Sequence, residues 1–239
     1  MDAVATLTLL GFGLLLGLKH AIEADHLAAV STIVTQRKSV WSASIVGGLW
    51  GIGHTISLFV AGLAVIFFHF EIGERAEQTL EFCVAIMLIV LGIDAIRRLI
   101  KGGQIHVHSH SHGEVVHFHP HTHGTETAHD LEKTSGHSHA VSKIGFRPVI
   151  VGMIHGLAGS GALMLLVLTT ISSPMAGLLY ILVFGIGSIM GMMLMSLLLG
   201  LPMYLTASRF RFMDVTLRLG AGAFSLALGV WLAASYISL

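Results

Sequence analysis

The sequence predicts an all-α integral membrane protein with about six transmembrane helices arranged as a 3+3 inverted repeat, and three observations carry that prediction. Of 239 residues, 54% are hydrophobic and only 11% charged, and the mean hydropathy is +0.83, outside the balance of water-soluble domains. The apolar residues fall in unbroken runs of about 20 or more, enough to cross the hydrocarbon core as helices. The runs lack the polar–apolar alternation of membrane barrel strands.

The first run, near 5–33, has no basic leader and contains a polar cluster, so it reads as a retained span and not a cleaved signal peptide. The second, near 41–69, and the fifth, near 175–203, are rich in glycine; Gly51, Gly53, Gly185, Gly187 and Gly191 at least let helices pack closely. Met190, Met192, Met193 and Met195 in the fifth run read as packing residues. The third run, near 79–100, holds the lone cysteine, Cys83, read as a small buried hydrophobe; one cysteine allows no intrachain disulfide and no thiolate cage. Asp94 stands three and four residues before Arg97 and Arg98, the spacing of a local ion pair, and His69 reads as interfacial. The fourth and sixth runs lie near 147–171 and 214–237.

The basic residues sort by side. Arg37, Lys38, Arg97, Arg98, Lys101, Lys133, Lys143, Arg147, Arg209, Arg211 and Arg218 flank loops one, three and five, whereas Arg75 alone flanks the other side, among Glu71, Glu74, Glu77 and Glu81. The positive-inside rule places the odd loops in the cytoplasm and both termini outside. The formal charge is zero, and no basic stripe with aromatics points to nucleic acid.

The halves resemble each other. Gly17-Leu-Lys-His20 recurs as Gly152-Met-Ile-His155, Gly51-Ile-Gly-His54 as Gly185-Ile-Gly-Ser188, and Leu91-Gly92 as Leu228-Gly229. The spacings, 135, 134 and 137, are nearly constant. Three helices per unit make the second copy enter from the opposite face, the framework of many transporters with substrate held near the midplane. The expected units are 1–101, a histidine-rich cytoplasmic segment 102–145, and 146–239.

Residues 19–26, Lys-His-Ala-Ile-Glu-Ala-Asp-His, put charge where a spanning helix tolerates it poorly, about 2.5–3.5 kcal/mol per charge near its centre. Such a cluster marks a functional site. On a straight helix Lys19, His20, Glu23 and His26 share about a third of the circumference, with Asp25 about 100° beyond His26. Either Asp25 orients a ligand histidine from behind, or the helix unwinds here, as discontinuous transporter helices do. His54, following Gly51 and Gly53, and His155, the counterpart of His20, are further candidates, while Glu23 either shapes the site or pairs with Lys19. Imidazoles with one or two carboxylates suit a borderline divalent cation such as nickel, cobalt or zinc. The candidate metal site is therefore His20, Glu23, Asp25, His26, His54 and His155, with no catalytic residue and no resident cofactor.

The pattern His20-x4-Asp25-His26 resembles the first motif of the nickel/cobalt transporter family, with Lys19 in place of its arginine and Glu23 in place of its first aspartate. The step Gly53-His54-Thr55 is similar to that family's second motif. The resemblance covers two helices and implies a nickel or cobalt permease in the bacterial plasma membrane, with His20, Asp25, His26 and His54 as the matched positions. The second half departs from the larger members, reading His155-Gly-Leu-Ala-Gly-Ser-Gly and Gly185-Ile-Gly-Ser where they carry aspartates. With about six spans the chain looks like the short urease-accessory, nickel-transport-like branch.

Residues 102–145 hold eleven of the sixteen histidines and little apolar content before Val141, so the segment is expected to be disordered without metal. His106, His108, His110 and His112, then His117, His119, His121 and His123, alternate with other residues and offer an auxiliary metal-binding loop. A pH-sensitive tether or spacer is the alternative. On the cytoplasmic side the loop suits either buffering after uptake or presentation for efflux. The importer-like motif tips the reading to uptake, and a cytoplasmic metallochaperone is a candidate partner beside the bilayer and the ion.

No Gly-x-x-x-x-Gly-Lys-Ser/Thr element occurs, which excludes a P-loop ATPase. His-x4-Asp is also the acyltransferase pattern, but the adjacent His26, the matched His54 and the histidine loop weigh against that chemistry. A zinc-dependent intramembrane hydrolase is the rival closest in ligand set.

Overall fold

The structure, a computed structural model, describes residues 3–35, 37, 39–68, 73–101, 106–112, 115–121, 145–156, 168, 170–171, 173–207 and 210–237. Among them are seven helices and one hairpin: α1 Ala3–His20, α2 Ala24–Val34, α3 Val40–Phe68, α4 Glu74–Lys101, β1 His106–His112, β2 Val115–His121, α5 Arg147–Gly156, α6 Pro174–Ala207 and α7 Arg211–Ile237. Four of them, α3, α4, α6 and α7, are each long and apolar enough to cross a membrane, and α1 and α2 together form a fifth such length, bent by 57° at residues 21–23. The expected fourth run, 147–171, is helical over α5, and most of the remainder lies outside the described residues.

The helix ends differ from the hydropathy edges. Helix α4 starts at Glu74, several residues before the apolar run, because Glu, Arg, Ala and Gln continue a helix well although they add nothing to burial in lipid. Helix α6 runs through Pro202, and the Thr206 hydroxyl, one turn on, donates to the Pro202 carbonyl at 2.9 Å. The expected Asp94 pair forms with Arg98, 2.8 Å apart.

Helix α3 packs along α6, α4 along α7, α1 along α6 and α5 along α3. Trp50, Met192, Leu88, Ala28 and Ala29 are buried in one core, and Leu58, Tyr180, Ile181 and Phe184 in a second. The outward faces carry Ile52, Ile56, Ile86, Val90, Leu194, Leu198 and Trp231, the apolar exterior expected of a protein in lipid. Met192 packs in the core as expected, whereas Met190 is exposed. Cys83, expected to be buried, is also exposed. Both corrections have one cause: in a spanning helix the lipid side is as apolar as the core, so hydrophobicity does not distinguish them.

Close helix contacts come in matched sets. A Cβ on Gly17 would collide with the Phe184 carbonyl, and one on Gly152 with the Trp50 carbonyl. Gly53 likewise lies against the carbonyl of Val149 and Gly187 against that of Leu14. At the other seam Gly92 meets the Gly222 carbonyl and Gly229 that of Ala85.

Within the segment expected to be disordered, β1 and β2 pair antiparallel, with His106 opposite His121, His108 opposite His119 and His110 opposite His117. Alternation of histidine with other residues has the period of a strand, which accounts for the pairing over these two stretches. His69 and His123 lie outside the described residues.

Candidate metal centre

The site is built at the break between α1 and α2. His20 is the last residue of α1, and residues 21–23 leave the helix as a turn in which the Glu23 N–H donates to the His20 carbonyl at 3.1 Å. Glu23 adopts extended backbone, φ −63° and ψ 149°, and α2 starts immediately after it. Asp25 sits in the first turn of α2, where acidic groups are favoured, and its Oδ1 accepts the His26 backbone N–H at 2.8 Å.

The break resolves the angular conflict read from the sequence. On a straight helix His20 and His26 would be about 9 Å apart along the axis and 120° apart around it. Here their ring centroids are 4.3 Å apart. His54, from the middle of α3, brings its Nε2 to 2.8 Å from His20 Nε2. The last turn of α5 supplies His155, 4.2 Å from His26 between ring centroids. Four imidazoles from four helices therefore converge.

Asp25 joins them. Its Oδ1 lies 3.0 Å from His26 Nδ1 and its Oδ2 lies 2.9 Å from His155 Nε2, so the carboxylate accepts from both rings. That assigns the tautomers: with Nδ1–H of His26 and Nε2–H of His155 donating, His26 Nε2 and His155 Nδ1 carry the lone pairs. Neither of those atoms, nor His54 Nδ1, has a hydrogen-bond partner among the described residues. His20 Nδ1 faces the Glu23 carboxylate at 3.2 Å. The Asp25 arrangement serves both expectations, since the helix breaks and the carboxylate also orients histidines.

The donor atoms of His20, His26 and His54 lie within 4.8 Å of one another, as do those of Asp25, His26 and His155. One ion with bonds of roughly 2.0–2.1 Å holds its nitrogens about 3 Å apart, so the His20–His54 approach already has a ligand-pair spacing. His54 and His155 are fully buried and His26 is 1% exposed, while the Asp25 and Glu23 side chains keep 22% and 29% of their surface. The nitrogen donors are thus inside, with the carboxylates partly exposed. Buried imidazole lone pairs without hydrogen-bond partners fit a borderline cation.

The site has supports that the sequence reading missed. Trp50, one turn before His54, lies 5.2 Å from His26 and 5.4 Å from His155 between ring centroids, and Phe184 lies 5.6 Å from His20. The Ser57 hydroxyl donates to the Met153 carbonyl at 2.7 Å, tying α3 to α5 beside His155. Each of Trp50 and Ser57 stands within one turn of His54, the one signal that marked them.

The chain is similar to the urease accessory protein UreH of Bacillus sp. (strain TB-90), 40% identical over 211 residues that cover 88% of this chain and 84% of that protein. It is also similar to the chloroplast proteins FOR GROWTH AND FERTILITY 1 and 2 of Arabidopsis thaliana, 25% and 26% identical, each over 75% of this chain but only 46% and 44% of those longer proteins. No family model matches the chain. No solved structure matches it either.

Proposed function

Because the chain belongs to the family of the urease accessory protein UreH, the urease-accessory, nickel-transport-like branch, we propose that it carries a divalent transition-metal ion, nickel or cobalt, across a membrane through the site at the α1–α2 break. The observation that carries this reading is the convergence of four buried imidazoles, two of them held by the Asp25 carboxylate, at the break in a helix pair long and apolar enough to span a membrane. Charge and polar side chains in such a span are costly unless they bind something, and a cation compensates both Asp25 and the lone pairs.

In this reading His20, His26 and His54 present nitrogen donors, Asp25 holds His26 and His155 in their tautomers, and the partly exposed Glu23 stands where an arriving ion exchanges water for protein ligands. The ion is the substrate. The accessory name of the relative favours a helper over a hydrolase, and inward movement is the direction we favour, with delivery to a cytoplasmic metallochaperone that serves urease maturation. The histidines opposed across β1 and β2 act as an auxiliary store on the same side.

The inverted 3+3 repeat belongs to this proposal, and the glycine contacts support it. Gly17 and Gly152 are repeat partners, and so are the residues they touch, Phe184 and Trp50. Exchanging the halves turns each contact of Gly17, Gly53 and Gly92 into the contact of Gly152, Gly187 and Gly229. The helix pairings obey the same exchange, since α1 on α6 becomes α5 on α3. The metal centre lies on that pseudo-two-fold relation, with His20 and His155 as counterparts, although Ser188 stands where the second copy of His54 would be. With the six-span reading and the basic odd loops, the termini face outward.

Nickel binding to the purified full chain, measured calorimetrically beside His26→Ala, tests the reading. A high-affinity phase that disappears in His26→Ala, above the weaker phases of the histidine loop, is the expected result. Identical isotherms would remove the site from the account.

A further inference from the structure

Two buried polar atoms next to the histidine cluster have no hydrogen-bond partner among the described residues, and they are complementary. Trp50 Nε1 carries a hydrogen to give, and His155 Nδ1, in the tautomer set by Asp25, carries a lone pair to receive one. Both side chains are buried, Trp50 at 1% exposure and His155 at 0%, and their rings meet edge-on at 67° with centroids 5.4 Å apart. A Cβ on Gly152 would collide with Trp50 Cδ1, the ring atom bonded to Nε1, so that side of the indole lies close to α5, one turn before His155. Buried donors and acceptors in native proteins nearly always find a partner, and a small oxygen species supplies both needs at once.

We propose that Trp50 Nε1 and His155 Nδ1 together hold one water ligand of the transported ion, so that the ion is carried partly hydrated and His155 grips it through that water. The bonding closes: one oxygen lone pair binds the metal, the other accepts the indole N–H, and one water hydrogen is donated to His155 Nδ1. Trp50 becomes a specificity residue, because nickel and cobalt need such water to complete higher coordination numbers, whereas zinc takes it only as the fourth ligand beside three protein donors and depends on it less. The inference rests on the metal-carrying reading above.

Its test uses the full chain in micelles, labelled with 15N in the indole rings and titrated with zinc, which is diamagnetic and serves as the probe. Three indole signals are expected, and Trp50→Phe identifies one of them by its loss. On binding at the His26-dependent site the Trp50 N–H signal should move downfield, and it should stay in place in His26→Ala. In parallel, Trp50→Phe, which keeps an aromatic ring but removes the N–H, should weaken His26-dependent nickel binding about tenfold and zinc binding less. A Trp50 signal that does not move while His26-dependent binding proceeds would overturn the inference and leave the metal site standing. Equal loss of nickel and zinc affinity would do the same, marking Trp50 as mere packing. Absence of any His26-dependent binding would bring down both. Should Trp50→Phe fail to fold, Trp41→Phe and Trp231→Phe, at positions 67% and 66% exposed, identify the Trp50 signal by elimination and the titration still decides.

Discussion

Asp25 and His155, 130 residues apart, meet through Oδ2 and Nε2 at 2.9 Å, and the other oxygen of the same carboxylate accepts from His26. The contact joins the broken first helix to α5, so the two halves of the chain share one polar centre.

Asp25→Asn leaves one carbonyl oxygen to accept where two rings now donate, and its amide N–H group faces the other donor. One histidine must turn or go unpaired. Nickel affinity at the buried site should fall by about 10–100-fold, the usual effect of losing a group that orients metal ligands. Calorimetry on the purified variant checks it; affinity within twofold of the parent would mean the carboxylate is not organising the rings.

Gly53 has no room for a Cβ against the Val149 carbonyl, whereas a Cβ on Gly11 would meet nothing within 4 Å. Gly53→Ala should therefore push α5 away from α3, destabilise the protein by about 1–3 kcal/mol and displace His155. Gly11→Ala should leave the thermal midpoint unchanged or slightly raise it. Thermal unfolding in detergent distinguishes them, and equal midpoints would contradict the packing described.

Tyr180 is fully buried, and its hydroxyl has no hydrogen-bond partner among the described residues. A phenol there bears its desolvation uncompensated, so Tyr180→Phe should keep or raise the thermal midpoint. A drop equivalent to 2 kcal/mol or more would reveal a partner for that hydroxyl.

Removal of residues 104–140 should lower the number of metal ions bound per chain without abolishing the His26-dependent phase. Ion counting by mass spectrometry after dialysis reads this. Loss of the high-affinity phase together with the loop would place the principal site in the loop.

Much of this was legible in the sequence. Run length marked α3, α4, α6, α7 and the bent α1–α2 pair, whereas charge and angle at 19–26 left a helix break and an orienting Asp25 both open, and the structure has both. The constant repeat spacing pointed to His155, which no local pattern would have selected. Trp50 was not legible, because a tryptophan in an apolar glycine-rich run looks like packing until its N–H is found beside His155 with no partner among the described residues. Cys83 and Met190 were misassigned to the interior because lipid-facing and core-facing positions have the same chemistry. The hairpin at β1 and β2 needed the alternation to be read as strand period as well as ligand supply.

The most direct test of the central claim is nickel flux into proteoliposomes of known protein orientation, comparing the intact chain with His26→Ala and with the chain lacking residues 104–140. Flux that is abolished by His26→Ala and survives removal of the loop is the expected result. Undiminished flux in His26→Ala, or no flux of any metal from an intact chain that still binds nickel tightly, would contradict it.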